Sequence, residues 1–425
     1  MTTEVSDAGA LDLARFIRPG DTVAWGQACA EPVTLTEALA AQRGRLGGVR
    51  CFTGICTATA AAPQHCDHLS FASYTAAGAN RALAAAGALT ILPSHYSQLP
   101  DQLTAGPLRV DVVLLALPPA ASDGSFGPGL GADYLTPLIG RARVVIAEVN
   151  DRLPQVASSV RVRPEDIDVL VPVSRPPPEY PAAAPQATDE AIATHVAGLI
   201  PDGATIQLGI GSMPSAVARR LLGHRDLGVH SGMISDAIAE LIGAGVVTGA
   251  CKSVDRGLVV TGFLMGSEPL LTLAATDRAI TLRDTRYTHD HAVLAAQHQF
   301  VAINSATEVD LTGQANTETA GSRYVGAVGG AVDFARGAAL SRGGVPVLAL
   351  PSTAVTPAGE RVSRIVTRLD GPVTIGRADA GVIVTEYGVA DLRGLTLPQR
   401  RERMLAIAHP DHRQALAADN QKESP

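Results

Sequence analysis

What most constrains this chain is an internal repeat. DTVAWGQACAEPVTLTEAL (residues 21–39) and ATIQLGIGSMPSAVARRL (204–221) each run from an apolar strand through a glycine and a small-residue loop to a proline and an amphipathic helix. Gly26 and Gly209 are 183 positions apart and Pro32 and Pro214 are 182 apart, so the loop differs by one residue between the copies. A second echo pairs VDVVLLALPPAASDGSFGPG (110–129) with ADAGVIVTEYGVADLRG (378–394). Repetition of one supersecondary unit implies duplication, and two related α/β halves whose strand ends face each other across a cleft.

The break between the copies is visible as SRPPPEYPAAAPQATDE (174–190), where clustered prolines remove N–H groups and bias the backbone toward extended linker conformation. The expected organisation is a first domain over residues 1–175, a proline-rich linker over 176–188 and a second domain over 189–425. Length agrees, because 425 residues exceed what one hydrophobic core usually supports. VVLLAL, VVIA, VPVLAL and GVIVTEYG are apolar without polar alternation, the signature of strands covered on both faces in a largely parallel sheet. Helices are expected at 33–42, 189–199, 214–222, 235–243 and 398–408.

Composition excludes several classes. The net charge of −7, from 41 acidic and 34 basic residues, comes without a basic run, so nucleic acid is not an expected partner. The start MTTEVSDAGALDLARFIRPG has acids where a signal peptide needs a basic region, and no apolar run reaches the ~20 residues of a membrane span. A cytoplasmic location away from membranes is expected. Cys29, Cys51, Cys56, Cys66 and Cys251 are scattered and odd in number, which argues against a disulfide framework or a structural zinc site.

Chemistry has few places to sit. Gly209, Ile210 and Gly211, in GIGSMP ahead of a helix, form a strand-to-helix turn whose N–H groups can hold an anion or a developing oxyanion. GSRYVGAVGGAVDFARGAALSRGG (321–344) lets backbone approach a ligand at Gly326, Gly329 and Gly330, while Arg323 and Arg336 offer phosphate partners and Asp333 a helix start. Glu31, Glu148 and Glu386 follow apolar strands. HCDH (65–68) and HDH (289–291) lack metal-ligand spacing and are expected as solvated loops; no metal is expected.

The segments IQLGIGSMPSAV (206–217), DLGVHSGMISDAI (226–238), FVAINSATEVDLTGQ (300–314), GAVGGAVDFARGA (326–338), VTEYGVADLRG (384–394) and IAHPDHR (407–413), with GQACAEP (26–32) and VVIAEVN (144–150), together resemble the acetyl-CoA hydrolase/transferase family, a branch of the class I CoA-transferases. The resemblance implies two NagB/RpiA-type α/β domains, a homodimer, and an acyl-CoA bound at Gly209, Ile210, Gly211, Gly326, Gly329, Gly330, Asp333 and Arg336. It also implies a glutamate nucleophile in a His-Ser/Thr-Glu-Met stretch. Here that position is Gly232, and Ala331 stands where many relatives carry glutamine. With the nucleophile lost, the remaining bases are Glu31, Glu148 and His230, and Ser231 is a further hydroxyl. Direct hydrolysis or acyl transfer to a carboxylate, water or other small acceptor follows as the expected activity, with decarboxylase or lyase chemistry, or silent CoA-ester binding, as the alternatives. Because relatives accommodate glutamate at this turn, Gly232→Glu is expected to fit with little strain.

Overall fold

The computed structural model describes residues 2–56, 60–356 and 358–420. Two large sheets carry the chain. From edge to edge the first runs Thr3–Glu4, Val169–Val173, Val144–Asn150, Val112–Leu117, Thr22–Trp25, Val49–Thr53, Leu69–Ser73, Leu89–Ile91, and all its pairings are parallel. The second runs Gly388–Asp391, Val382–Thr385, Val345–Ala349, Phe300–Ser305, Thr205–Leu208, Gly228–His230, Val259–Thr261, Ile280–Leu282, Ala157–Ser158, with only the Gly388–Asp391 pairing antiparallel.

The eight places of the first order match the first eight of the second, with Ala157–Ser158 added at the second sheet's edge and Gly388–Asp391 antiparallel where Thr3–Glu4 is parallel. Thr22–Trp25 and Thr205–Leu208 hold the same central place, so Gly26 and Gly209 both follow central strands. The second echo does not hold in space: Val112–Leu117 corresponds to Phe300–Ser305, whereas Val382–Thr385 lies two places farther out. Both segments are apolar runs entering a turn, a pattern that any covered parallel strand satisfies.

Residues 174–186 contain no helix or strand, in keeping with their prolines. They are nonetheless packed down: Asn150 Nδ2 donates to Arg175 O at 2.9 Å and Tyr180 N–H to Gly266 O at 2.8 Å. The halves also exchange an element, since Ala157–Ser158 from the first half extends the edge of the second sheet beside Ile280–Leu282. Helices form at Val33–Gln42, Ala187–Ala197, Ser212–Arg220, Asp236–Gly243 and Leu397–Ile407, within a few residues of the periodicity. Among the described residues no helix is long and apolar enough to cross a membrane.

A seam of main-chain hydrogen bonds joins the halves. Ala132 N–H donates to Gly262 O at 2.8 Å, Leu264 N–H to Leu130 O at 2.9 Å, Tyr96 N–H to Gly329 O at 2.9 Å and Ala76 N–H to Gly326 O at 3.0 Å. Asp333 adds a charged tie. Its buried carboxylate accepts from Ser97 N–H at 3.1 Å and from Ser97 Oγ at 2.8 Å. Removing this acceptor leaves the half-buried Ser97 N–H without its partner, so Asp333→Ala is expected to cost about 1–3 kcal/mol, read as a lower urea midpoint; an unchanged midpoint would show the tie to be idle.

Candidate active site

The carboxyl ends of both sets of strands converge on one cavity of about 160 Å³. Ile55 and Tyr74 come from strand ends of the first half, with Tyr96 from a short turn. Leu208, Gly209, Ser231, Gly232, Phe263 and Asn304 come from strand ends of the second half. Gly329, Gly330 and Ala331 close it at the start of helix Ala331–Leu340. Sites in parallel sheets form outside the carboxyl ends of strands for this reason: there the loops diverge and leave a crevice.

A buried polar network underlies the wall from the first half. Gln27 Nε2 donates to Tyr96 Oη at 2.5 Å and to Asp133 Oδ2 at 2.9 Å, and Gln27 Oε1 accepts from Tyr74 Oη at 2.8 Å and Ile55 N–H at 3.2 Å. Every hydrogen-bonding position of the amide is thereby used, which fixes both tyrosine rings. Burial pushes the Asp133 carboxyl up to about 6. On the opposite wall Asn304 Nδ2 donates to Gln207 Oε1 at 3.1 Å, joining two adjacent strands.

His289 decides the character of the cavity. The sequence suggested a solvated loop histidine; the structure corrects this, with the residue 4% exposed. Its ring lies between Tyr96 and Phe334, at centroid distances of 4.7 and 4.6 Å, and Nδ1 is 2.9 Å from Thr288 Oγ1. Burial drives its pKa down to about 4, so the ring is neutral. A Cβ built on Gly232 would stand 2.8 Å from His289 Cε1 and 3.0 Å from Nε2, and one on Gly330 would stand 2.7 Å from Nε2. The imidazole therefore occupies the space into which a side chain at 232 would project. The expectation that glutamate would fit there with little strain is wrong for this reason.

The other sequence candidates divide. Gly209, Ile210, Gly329 and Gly330 line the cavity beside Gly232. Gly211 does not; it precedes helix Ser212–Arg220 with φ +116°, which favours glycine. Gly326 is a point of close approach, since a Cβ would fall 2.0 Å from Thr317 O. Asp333 serves the seam, and Arg336 pairs with Asp379 at 3.0 Å on the surface. His230 is fully buried, its Nε2 3.2 Å from Thr288 O, and burial lowers its pKa to about 3. Ser231 Oγ is 3.5 Å from Leu208 O.

Glu31 and Glu148, 1% and 2% exposed, lie together in a separate closed gap under Arg175 and Pro176–Pro178. Glu148 Oε2 accepts from Leu35 N–H at 3.2 Å, satisfying a donor in the first turn of helix Val33–Gln42. Sequence reading missed Tyr74, Tyr96, Gln27, Asp133 and His289. Only Gln27, inside the repeated strand-end motif, carried a signal.

Two family models match the chain: the acetyl-CoA hydrolase/transferase N-terminal domain over residues 8–172 and the C-terminal domain over 266–420. The 4-hydroxybutyrate coenzyme A transferase of Clostridium kluyveri is 37% identical over 347 residues, 81% of this chain and 80% of that enzyme. The chain belongs to the acetyl-CoA hydrolase/transferase family. Butyryl-CoA:acetate CoA-transferase of Anaerostipes caccae is 33% identical over 97% of this chain and 95% of its own. Among solved structures, RipA from Yersinia pestis superposes with a TM-score of 0.89 at 33% identity, covering 96% of this chain and 95% of that one. The chain is accordingly an acyl-CoA-utilising enzyme of this family, and its two similar α/β domains are those of the CoA-transferases.

Two tests follow from the geometry. Gly232→Ala alone is expected to cost about 1–3 kcal/mol by overpacking, and the cost should vanish in a His289→Ala background; equal costs in both backgrounds would show that the ring does not fill that space. Burial raises the Glu148 carboxyl to about 7 from an ordinary 4.5. Between those values the folded chain keeps a proton that the unfolded chain has shed, so stability falls as pH rises through this window, by about 3 kcal/mol in full above it. Glu148→Gln should therefore gain on wild type in urea unfolding at about pH 8 and much less at about pH 5; a pH-independent difference would contradict the raised value.

Proposed function

We propose that this enzyme acts on short acyl-CoA thioesters by direct attack, without a glutamyl-CoA intermediate. The observation that carries the reading is the cavity lining: among the described residues it contains no carboxylate and no thiol, and Gly232, the position the sequence resemblance assigns to the family nucleophile, is faced by a neutral histidine ring. Covalent acyl transfer needs a nucleophile, whereas oxyanion stabilisation needs only donors. The Ala331 N–H, at the start of a helix and without a hydrogen bond among the described residues, supports that role. Binding and an oxyanion hole can supply ~10³–10⁴-fold acceleration over water without a nucleophile. The acceptor is water or another small nucleophile, and the family resemblance supports a homodimer.

Size supports the acyl class. An apolar cavity of about 150 Å³ holds a benzene-sized group, and the cavity here is about 160 Å³. Short or small cyclic acyl groups suit it, and long fatty chains do not.

A panel of acyl-CoA esters from acetyl to octanoyl, assayed for thiol release, tests the reading. The expected result is thiol release without a carboxylate acceptor, strongest for short acyl groups. Hydroxylamine trapping followed by peptide mass spectrometry should leave peptide 226–256 unmodified. Ping-pong CoA transfer through a trapped carboxylate, at Glu31 or Glu148, would overturn it.

A further inference from the structure

Resting on that reading, the geometry points to a residue for the attack: we propose that His289 is the general base that activates water against the thioester, acting from the space beside Gly232. Four observations converge. First, Nε2 faces the gap between Gly232 and Gly330, within 3.0 Å of where either Cβ would stand, and makes no hydrogen bond among the described residues. Second, the ring cannot swing freely, because Tyr96 and Phe334 clamp it and Nδ1 is held by Thr288 Oγ1 at 2.9 Å.

Third, the network fits the Nδ1–H tautomer: with Thr288 Oγ1 donating to Asp284 O at 3.3 Å, a back-bond four residues earlier, the same oxygen accepts from Nδ1–H at 2.9 Å. That leaves Nε2 with a bare lone pair toward the cavity. Fourth, the ring is neutral at ordinary pH, so the base form is the resting form.

The other candidates are occupied. His230 Nε2 is spent on Thr288 O, Ser231 Oγ is directed to Leu208 O at 3.5 Å, and Glu31 and Glu148 lie in the closed gap.

The step balances without an oxidant or reductant. The water oxygen bonds to the thioester carbonyl carbon while one water proton passes to Nε2. The carbonyl electron pair returns, the C–S bond breaks, and the proton on Nε2 moves to the departing sulfur. The products are the free carboxylic acid and CoA thiol.

The test uses His289→Ala and His289→Asn in the full-length enzyme, with thermal unfolding to establish that at least one variant is folded. The proposal requires kcat for thiol release to fall ~100-fold or more, with acyl-CoA affinity by calorimetry within about threefold of wild type. It also requires added imidazole to restore turnover of His289→Ala saturably, because the deletion leaves a space of the ring's own size. A folded variant with wild-type kcat overturns the role of His289 while leaving the direct-attack reading standing. Loss of kcat without imidazole rescue reduces His289 to a packing residue and also overturns it. If wild type releases no thiol from any ester in the panel, the direct-attack reading fails, and the base assignment with it.

Discussion

The candidate site depends on a seam made of main chain. Four N–H to C=O bonds link Ala76, Leu130, Ala132 and Tyr96 on one side to Gly326, Leu264, Gly262 and Gly329 on the other. Main-chain pairing fixes register whatever side chains the neighbouring positions carry, provided the backbones can approach. Gly326, the acceptor for Ala76, is itself held close to the Thr317 backbone of its own half, where a Cβ would fall 2.0 Å from Thr317 O. The cavity walls therefore hold their places through changes of side chain within them. A polar network of Gln27, Tyr74, Tyr96 and Asp133 stiffens one wall, and the Gln207–Asn304 pair stiffens the other. The scaffold and the chemistry are separable for this physical reason.

Much of the fold was legible because its signals are local. Apolar runs gave Val112–Leu117 and Val144–Asn150, and the repeat gave the equivalent places of Gly26 and Gly209. The second echo misled because an apolar run followed by a turn carries no information on sheet position. Glu148 misled for another reason. It lies within its strand rather than beyond it, and its side chain points toward helix Val33–Gln42, a matter of which face the pleat gives it. His289 was illegible: its burial comes from Phe334, distant in sequence, and from Tyr96, brought to it across the seam, and no spacing encodes those contacts.

Gly232, Gly330 and His289 form one steric unit. A side chain at either glycine excludes the ring, and the ring excludes a side chain at either glycine. Loss of a large side chain from a packed interior ordinarily leaves a costly void; here an aromatic ring stands in the space, clamped from two sides. Sequence reading treated Gly232 as a simple deletion of function. Packing adds that the space beside Gly232 is filled by a neutral, polar ring that faces the same cavity.

That ring bears on the electrostatics as well as the volume. A carboxylate beside the start of helix Ala331–Leu340 would engage the positive end of the helix dipole and draw on its free N–H groups. With no carboxylate among the described lining residues, the Ala331 N–H is left without a hydrogen-bond partner among the described residues. Charge that develops on a thioester oxygen during direct attack then has preorganised partners, and an uncharged wall raises no repulsion against it. On the proposed direct-attack reading, the helix N-terminus is then free to stabilise a noncovalent route.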